Sequence, residues 1–288
     1  MFNIIGIGEI LWDLLPDGKR PGGAPANFAY VANALGNHGV VLSRVGNDEP
    51  GKEILAELNA KKLSTATIQI DDEKPTGLVE VRLENGQPNY RIVENSAWDF
   101  MEFSDDWREI AARADAVCFG SLAQRKRVSR RTILEFVNLT RGWRIFDVNL
   151  RQPFYSREVL RESLKTANAA KLNYEELPVV AEMFGIKTPN PLRAAKDLLS
   201  QFDLNLICVT RGAAGSVLVA NNEISEAAGF KVEVADAIGA GDAFTAALAH
   251  GLLRGWKLDD INKFANQVGA FVASQTGAMP DFPEEFRQ

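Results

Sequence analysis

An aspartate set directly after a glycine turn, at the start of an apolar-striped helix, is the most chemically pointed feature of this sequence. Residues 234–255, VADAIGAGDAFTAALAHGLLRG, read as a short strand passing through Gly239-Ala240-Gly241 into a helix. Phe244, Leu248 and Leu252 repeat at helical spacing, and Gly255 marks the end. Glycines ahead of a helix let the backbone approach a ligand closely, and the N–H groups of the first turn form an anion site. Asp242 lies beside that site, where a carboxylate can accept a proton from an attacking hydroxyl. Base and anion hole together suit phosphoryl transfer. Taken alone, the string fits a helix cap after a tight turn equally well.

A second glycine cluster, PGGAPANFA at 21–29, combines Gly22 and Gly23 with an early helical proline and Asn27. Exposed backbone and an amide that both donates and accepts suit the hydroxyls of a sugar; a plain turn is the other reading. Asp13, in GEILWDLLP, stands among apolar neighbours, where a carboxylate needs hydrogen bonds that two adjacent hydroxyls would supply. An edge-strand carboxylate facing water is the alternative. DVNLR at 147–151 ends a strand, so the planar guanidinium of Arg151 can project over the site and steady a triphosphate or the group in transfer, unless it serves a surface ion pair. Trp98 and Phe100 are expected, from position, to exclude water from that pocket.

These residues need a scaffold that brings them together. With 288 residues and 46% hydrophobic side chains, the chain can bury one large core without disulfides or metals. Short β-branched runs recur at 4–8, 40–45, 116–120, 144–149 and 206–210, most followed by helical periodicity. That alternation predicts a doubly wound, mostly parallel sheet flanked by helices, with ligands at the carboxyl ends of the strands. Pro25 to Leu35 reads as a helix stopped at Gly36, and Ser104 and Ser156 as helix caps. The rhythm breaks at 64–98. There GLVEVRL alternates with period two, and Glu84-Asn85-Gly86-Gln87 reads as a hairpin turn into NYRIVE. With the strand around Glu9 to Leu15, this predicts a small β lid formed by about 9–20 and 64–98 on a single domain spanning 1–288.

Composition narrows the partners. A formal charge of −6 argues against a nucleic-acid or anionic-membrane footprint, and no run reaches the ~18 apolar residues of a membrane span. The start MFNIIGIGEI lacks a signal-peptide pattern, so the cytoplasm is the expected compartment. Cys118 and Cys208 lie in apolar runs and read as reduced core residues. His38 and His250 show no metal-site spacing. GIGEIL lacks the third glycine of a dinucleotide fingerprint, which is Leu11 here, and no P-loop string occurs.

GGAPAN near the start and DAIGAGDAF near the end together resemble the two signatures of the ribokinase-like (pfkB) carbohydrate kinases, and the resemblance covers essentially the whole chain. It implies a ribokinase-like fold with an inserted β lid, ATP and Mg²⁺ as cofactors, and phosphorylation of a primary sugar hydroxyl. Asp242 would be the base, and Gly239, Ala240 and Gly241 the anion hole. Asp13, Gly23 and Asn27 match the family's sugar-binding positions. Asn173 and Glu176, in KLNYEE, match an NxxE pattern associated with Mg²⁺ and phosphate; within one helical turn they reach the same face, and an outer-shell contact to Mg²⁺ suits Glu176. By the same resemblance, Thr210, Gly212 and Gly215 of VTRGAAGS lie near the nucleotide, and Asn266 and Ala270 wall the adenine pocket. Asp236, with Ile238 beside it, matches a monovalent-cation loop, which implies activation by K⁺. The family's usual Thr after that Asp is Ala237 here, a departure that bears on cation or nucleotide affinity rather than on the base.

GEILWDLLP, GGAPAN and AWDF resemble fructokinases most. Ribokinases and 2-keto-3-deoxygluconate kinases share the scaffold, and a non-catalytic sugar-binding regulator is the reading from a different class. An open lid with apolar faces suits pairing with a second copy as a homodimer.

Overall fold

In a computed structural model, residues 1–15, 18–84, 87–151 and 153–287 are described, with the side chains of Leu15 and of 81–90 left aside. The chain opens with β1 (Asn3–Ile7), β2 (Leu11–Leu15), β3 (Gly18–Gly22) and α1 (Ala24–Ala34). Then follow β4 (His38–Leu42), β5 (Arg44–Gly46), α2 (Glu49–Ala60), β6 (Gln69–Asp71), β7 (Gly77–Glu84) and β8 (Gln87–Ile92). The middle holds α3 (Asp105–Arg113), β9 (Ala116–Gly120), α4 (Arg127–Leu139), β10 (Trp143–Asp147), α5 (Arg157–Thr166), β11 (Ala169–Asn173) and α6 (Glu176–Met183). The remainder comprises α7 (Pro191–Phe202), β12 (Leu206–Thr210), β13 (Ser216–Ala220), β14 (Ile224–Ala227), α8 (Ala240–Leu253) and α9 (Leu258–Ala273).

The strand order of the main sheet is β14-β13-β12-β11-β10-β9-β1-β4. The six strands from β4 to β12 pair in parallel, and β13 and β14 close one edge antiparallel. Strands covered on both faces must be apolar on both, which is why they appear in the sequence as continuous runs. Ile4, Cys118 and Cys208 pack into the core beneath α1, α8 and α9, whereas Ile5, Ile7, Phe119 and Ile207 pack toward α3 to α7. Both cysteines are free and buried. The Ser104 and Ser156 hydroxyls accept from the Trp107 and Val159 amides, capping α3 and α5. No helix among the described residues is long and apolar enough to cross a membrane.

A separate four-stranded sheet, β3-β2-β7-β8, stands off the main one, with β2 parallel to β7 and the β7–β8 hairpin in register from Val79–Ile92 to Glu84–Gln87. Asn85 and Gly86, the expected turn residues, lie outside the described residues, as do the side chains of 81–90 and with them much of the face expected to pair with a second copy.

Two expectations are corrected. Residues 64–76 are not part of the lid: β6 pairs with β5 in its own two-stranded sheet, and Leu63 and Ile68 are buried in the main core. The period-two pattern that marks the lid begins only at Gly77. Nor does a strand precede the Gly239 turn. The Ala235 and Asp236 amides bond to the carbonyl of Ala273 at the end of α9, so this segment runs against a helix, with Val232 and Val234 exposed.

Candidate active site

Strand ends deliver the chemistry. Gly8 and Glu9 follow β1, Asp147 ends β10 with Arg151 just beyond, Asn173 ends β11 and Thr210 ends β12, all at the carboxyl edge of the sheet. Onto that edge α8 points its amino end. Gly239 caps it at φ +78°, and a Cβ there would come within 2.4 Å of the Ala278 Cβ. Only glycine fits both conditions. Helix α9 presses against α8 at Gly269, where a Cβ would sit 3.2 Å from the Ala240 carbonyl oxygen.

Asp242 lies in the first turn of α8, and its Oδ2 accepts from the Asn27 side-chain amide at 2.8 Å. The two glycine motifs thus meet. Burial pushes the Asp242 carboxyl up to about 6, with help from the Asp147 charge, against the lowering effect of Asn27, Lys171 and Arg151. A carboxylate held near neutrality is suited to proton transfer. A pit of about 10 Å³ opens beside it between Phe28, Cys118, Asp147 and Thr245. A much wider cleft, about 730 Å³, lies at the opposite, amino ends of the strands around Asp115, Trp143 and Leu252, far from this constellation. It is open and shallow, and we place the site at Asp242.

Under the glycine turn lies a polar network. Lys171 Nζ is 3.2 Å from Asp147 Oδ1, and a Cβ on Gly241 would be 3.2 Å from that ammonium. Thr245 Oγ1 stands 3.0 Å from Asp147 Oδ2 and 2.9 Å from the Gly241 carbonyl. Burial alone would lower Lys171, but Asp147, Glu176 and Asp242 outweigh it and hold the ammonium well above its ordinary value. The site therefore carries a fixed positive charge directly beneath Gly241. Sequence reasoning missed Lys171, Asp147 and Thr245. The readable signal was a lysine inside the buried strand AAKLN, which demands a paired partner.

Asp13 and Gly22 sit together on the lid's root: a Cβ on Gly22 would be 2.4 Å from Asp13 Oδ2. Burial raises Asp13, and the Arg151 charge lowers it. The Arg151 charge likewise lowers Asp242 and Glu9; the residue is exposed, and its guanidinium donates to the Leu150 carbonyl at 3.3 Å. Gly23, at φ +118°, passes so close to the Glu9 carbonyl that a Cβ would be 2.4 Å from it.

Asn173 and Glu176 lock each other. Asn173 Oδ1 accepts from the Glu175 and Glu176 amides, while Glu176 accepts from the Asn173 amide and, through its other oxygen, from the Leu150 amide, both at 2.8 Å. Those bonds fix the loop that carries Arg151. Both Glu176 oxygens are thus taken by backbone amides, and the side chain is buried. Gly212 and Gly215, at φ +54° and +91°, shape the turn after Thr210, whose hydroxyl leans on the Leu172 carbonyl.

Three expected site residues are otherwise engaged. Trp98 is fully buried, its ring under the Arg125 guanidinium at 3.9 Å and its Nε1 beside Gly77, so it packs the lid's root instead of lining a pocket. Asn266 is buried and donates to Ser216 and Asn262, knitting α9 to the sheet edge; Ala270, one turn on, is half-buried. Asp236 takes the Ile238 and Gly277 amides and the Arg20 guanidinium, with Ile238 exposed. Its carboxylate faces these N–H donors and the Arg20 guanidinium.

The family model for the pfkB family of carbohydrate kinases matches residues 17–285. The putative sugar kinase PH1459 of Pyrococcus horikoshii is 32% identical over 296 residues, 96% of this chain and 91% of the relative. Its crystal structure in complex with ATP superposes with a TM-score of 0.81 over 96% of this chain and 94% of that one. The fructokinase of Escherichia coli is 30% identical over 302 residues, covering 96% of this chain and 95% of the relative. A Vibrio cholerae fructokinase, solved with fructose, ADP and calcium ion, is 26% identical at a TM-score of 0.82, covering 98% of this chain and 96% of that one.

Proposed function

Because the chain belongs to the pfkB family of carbohydrate kinases, we propose that it transfers the γ-phosphoryl group of ATP to a primary hydroxyl of fructose, giving fructose 6-phosphate and ADP. The observation that carries the chemistry is Asp242, poised near neutrality in the first turn of α8 and held by Asn27. The Asp242 carboxylate takes the hydroxyl proton as that oxygen bonds to the γ-phosphorus and the bond to the β–γ bridging oxygen breaks, the electron pair leaving with ADP. Backbone N–H groups of Ala240 and Gly241 stabilise the charge that develops, about 3 kcal/mol for one such donor. Lys171 adds positive charge from below, and Arg151 from above. Mg²⁺ bound with ATP would neutralise phosphate charge, and Glu176 and Asn173 are the residues that would hold it through water.

Fructose as the acceptor rests on the fructokinase relatives and on the fructose complex of the Vibrio protein. Asp13, Gly22, Gly23 and Asn27 form the acceptor side in this reading. ATP consumption against fructose, ribose, 2-keto-3-deoxygluconate, glucose and adenosine, with Asp242→Ala as control, tests it. Fructose-dependent turnover lost in the variant is the expected result. Preference for another sugar overturns the substrate, and sugar binding without turnover by any member of the panel overturns the enzyme reading in favour of a regulator.

A further inference from the structure

Glu9 stands between β1 and β2, where the chain leaves the main sheet for the lid, and is only 4% exposed. A carboxyl group so placed must be satisfied or it destabilises the fold. Against the burial that raises its carboxyl, the backbone amides of Glu9 itself and of Ala24, the first residue of α1, lower it. Its Oε2 is buried with no hydrogen-bond partner among the described residues. A carboxylate at a helix amino end accounts for the influence of the Ala24 amide. It does not explain an oxygen left over, because buried polar atoms nearly always find partners.

What surrounds that oxygen points to a ligand. The charges acting on Glu9 are Asp242 from α8 and Arg151 from the loop after β10, and Arg151 also acts on Asp13 at the lid's root. Asp13 beside Gly22, Glu9 beside Gly23 and Asp242 on Asn27 thus cluster along one stretch of chain, residues 22–27, all within reach of the Arg151 charge. The Gly23 backbone presses on the Glu9 carbonyl, so the acceptor loop and Glu9 are fixed to each other. The positive charges acting on this cluster are Arg151 and, at Asp242, Lys171. Hydroxyl groups, which both donate and accept, are the chemistry that would complete it.

We propose that Glu9 is a further acceptor-binding residue, whose free Oε2 takes a hydroxyl of the sugar beside the one that Asp242 deprotonates. This rests on the kinase reading of the Asp242 site but not on which sugar is used. Burial, reinforced by the Asp242 charge, pushes the Glu9 carboxyl up to about 7, so near neutral pH it is available both as acceptor and as donor.

Glu9→Gln, which keeps the shape, and Glu9→Ala are assayed with D-fructose, or with D-ribose or 2-keto-3-deoxygluconate if one of those is the better acceptor. The expected result is a rise in sugar KM of about tenfold to a hundredfold in Glu9→Ala and a smaller one in Glu9→Gln. The KM for ATP stays within about twofold and the melting temperature does not fall. Among monodeoxy analogues of the sugar, the one lacking the Glu9-bound hydroxyl loses affinity for the wild type and none further for Glu9→Ala. An unchanged sugar KM in both variants overturns the proposal, as do sugar and ATP KM values that rise together with a lowered melting temperature. A wild type active on ribose but silent on fructose overturns only the choice of sugar. One that binds none of the three overturns this inference together with the reading beneath it.

Discussion

The side-chain amide of Asn27 donates to Oδ2 of Asp242 across 2.8 Å, joining two motifs that lie 215 residues apart in the chain. The bond orients the carboxylate and opposes the burial that raises it. Asn27→Ala therefore moves the acid limb of kcat/KM to higher pH and lowers the rate at pH 7 by about tenfold or more, the cost of a hydrogen bond to a charged group. Initial rates from pH 5 to 8 check this; an acid limb that stays in place would show that Asn27 only lines the pocket.

Asp242→Asn removes the base and keeps the shape. We expect kcat to fall by about 10²- to 10⁴-fold while sugar and ATP binding by calorimetry change little. Wild-type activity depends on the ionised carboxyl, so kcat/KM declines as pH falls through about 6, where burial places this group. That limb is absent from the residual activity of the variant.

How far the site could be read from the chain depended on the kind of constraint involved. The parallel strands were legible because burial on both faces leaves continuous apolar runs such as AVCFG and LICVT. Gly239 and Gly23 were legible because their positive φ and close contacts admit no side chain. Lys171 was not, since its meaning depends on Asp147, its neighbour in register on an adjacent strand, and strand order is not written locally. Trp98 misled because an aromatic residue in AWDF reads alike whether it lines a pocket or fills a core. KVEV at 231–234 alternates like a strand, yet the amides that follow it, Ala235 and Asp236, are taken by Ala273.

Lys171→Met tests the charge beneath the glycine turn. It leaves Asp147 buried, with Thr245 as its remaining side-chain partner, and breaking a buried pair on one side costs about 3–5 kcal/mol. Urea unfolding should register that loss, and Lys171→Met combined with Asp147→Asn should recover part of it. A further rise in ATP KM, not recovered in the double variant, would identify the ammonium as support for the phosphates.

Gly239→Ala meets two obstacles at once, a left-handed backbone and the Ala278 Cβ within 2.4 Å. The conformation alone costs about 1–2 kcal/mol, and the clash pushes the turn off the anion site. ATP KM rises and kcat falls, with sugar affinity close to wild type, in steady-state kinetics with each substrate varied. Equal loss of both affinities would place the damage in the fold instead.

Glu9 makes a stability prediction of opposite sign to the usual carboxylate. Its carboxyl titrates near 7 in the folded chain against an ordinary 4.5, chiefly because burial disfavours the charge. The fold is thus favoured fully below pH 4.5, and that contribution is lost as pH rises through 7, a displacement worth about 3 kcal/mol. Glu9→Gln cannot ionise, so relative to the wild type it should gain up to that amount at pH 8 and nothing at pH 4, in urea unfolding at both pH values. Buried groups that weaken a fold at working pH persist where activity needs them. A variant more stable than the wild type at pH 8 yet weaker in sugar binding would join both halves of that trade in one residue.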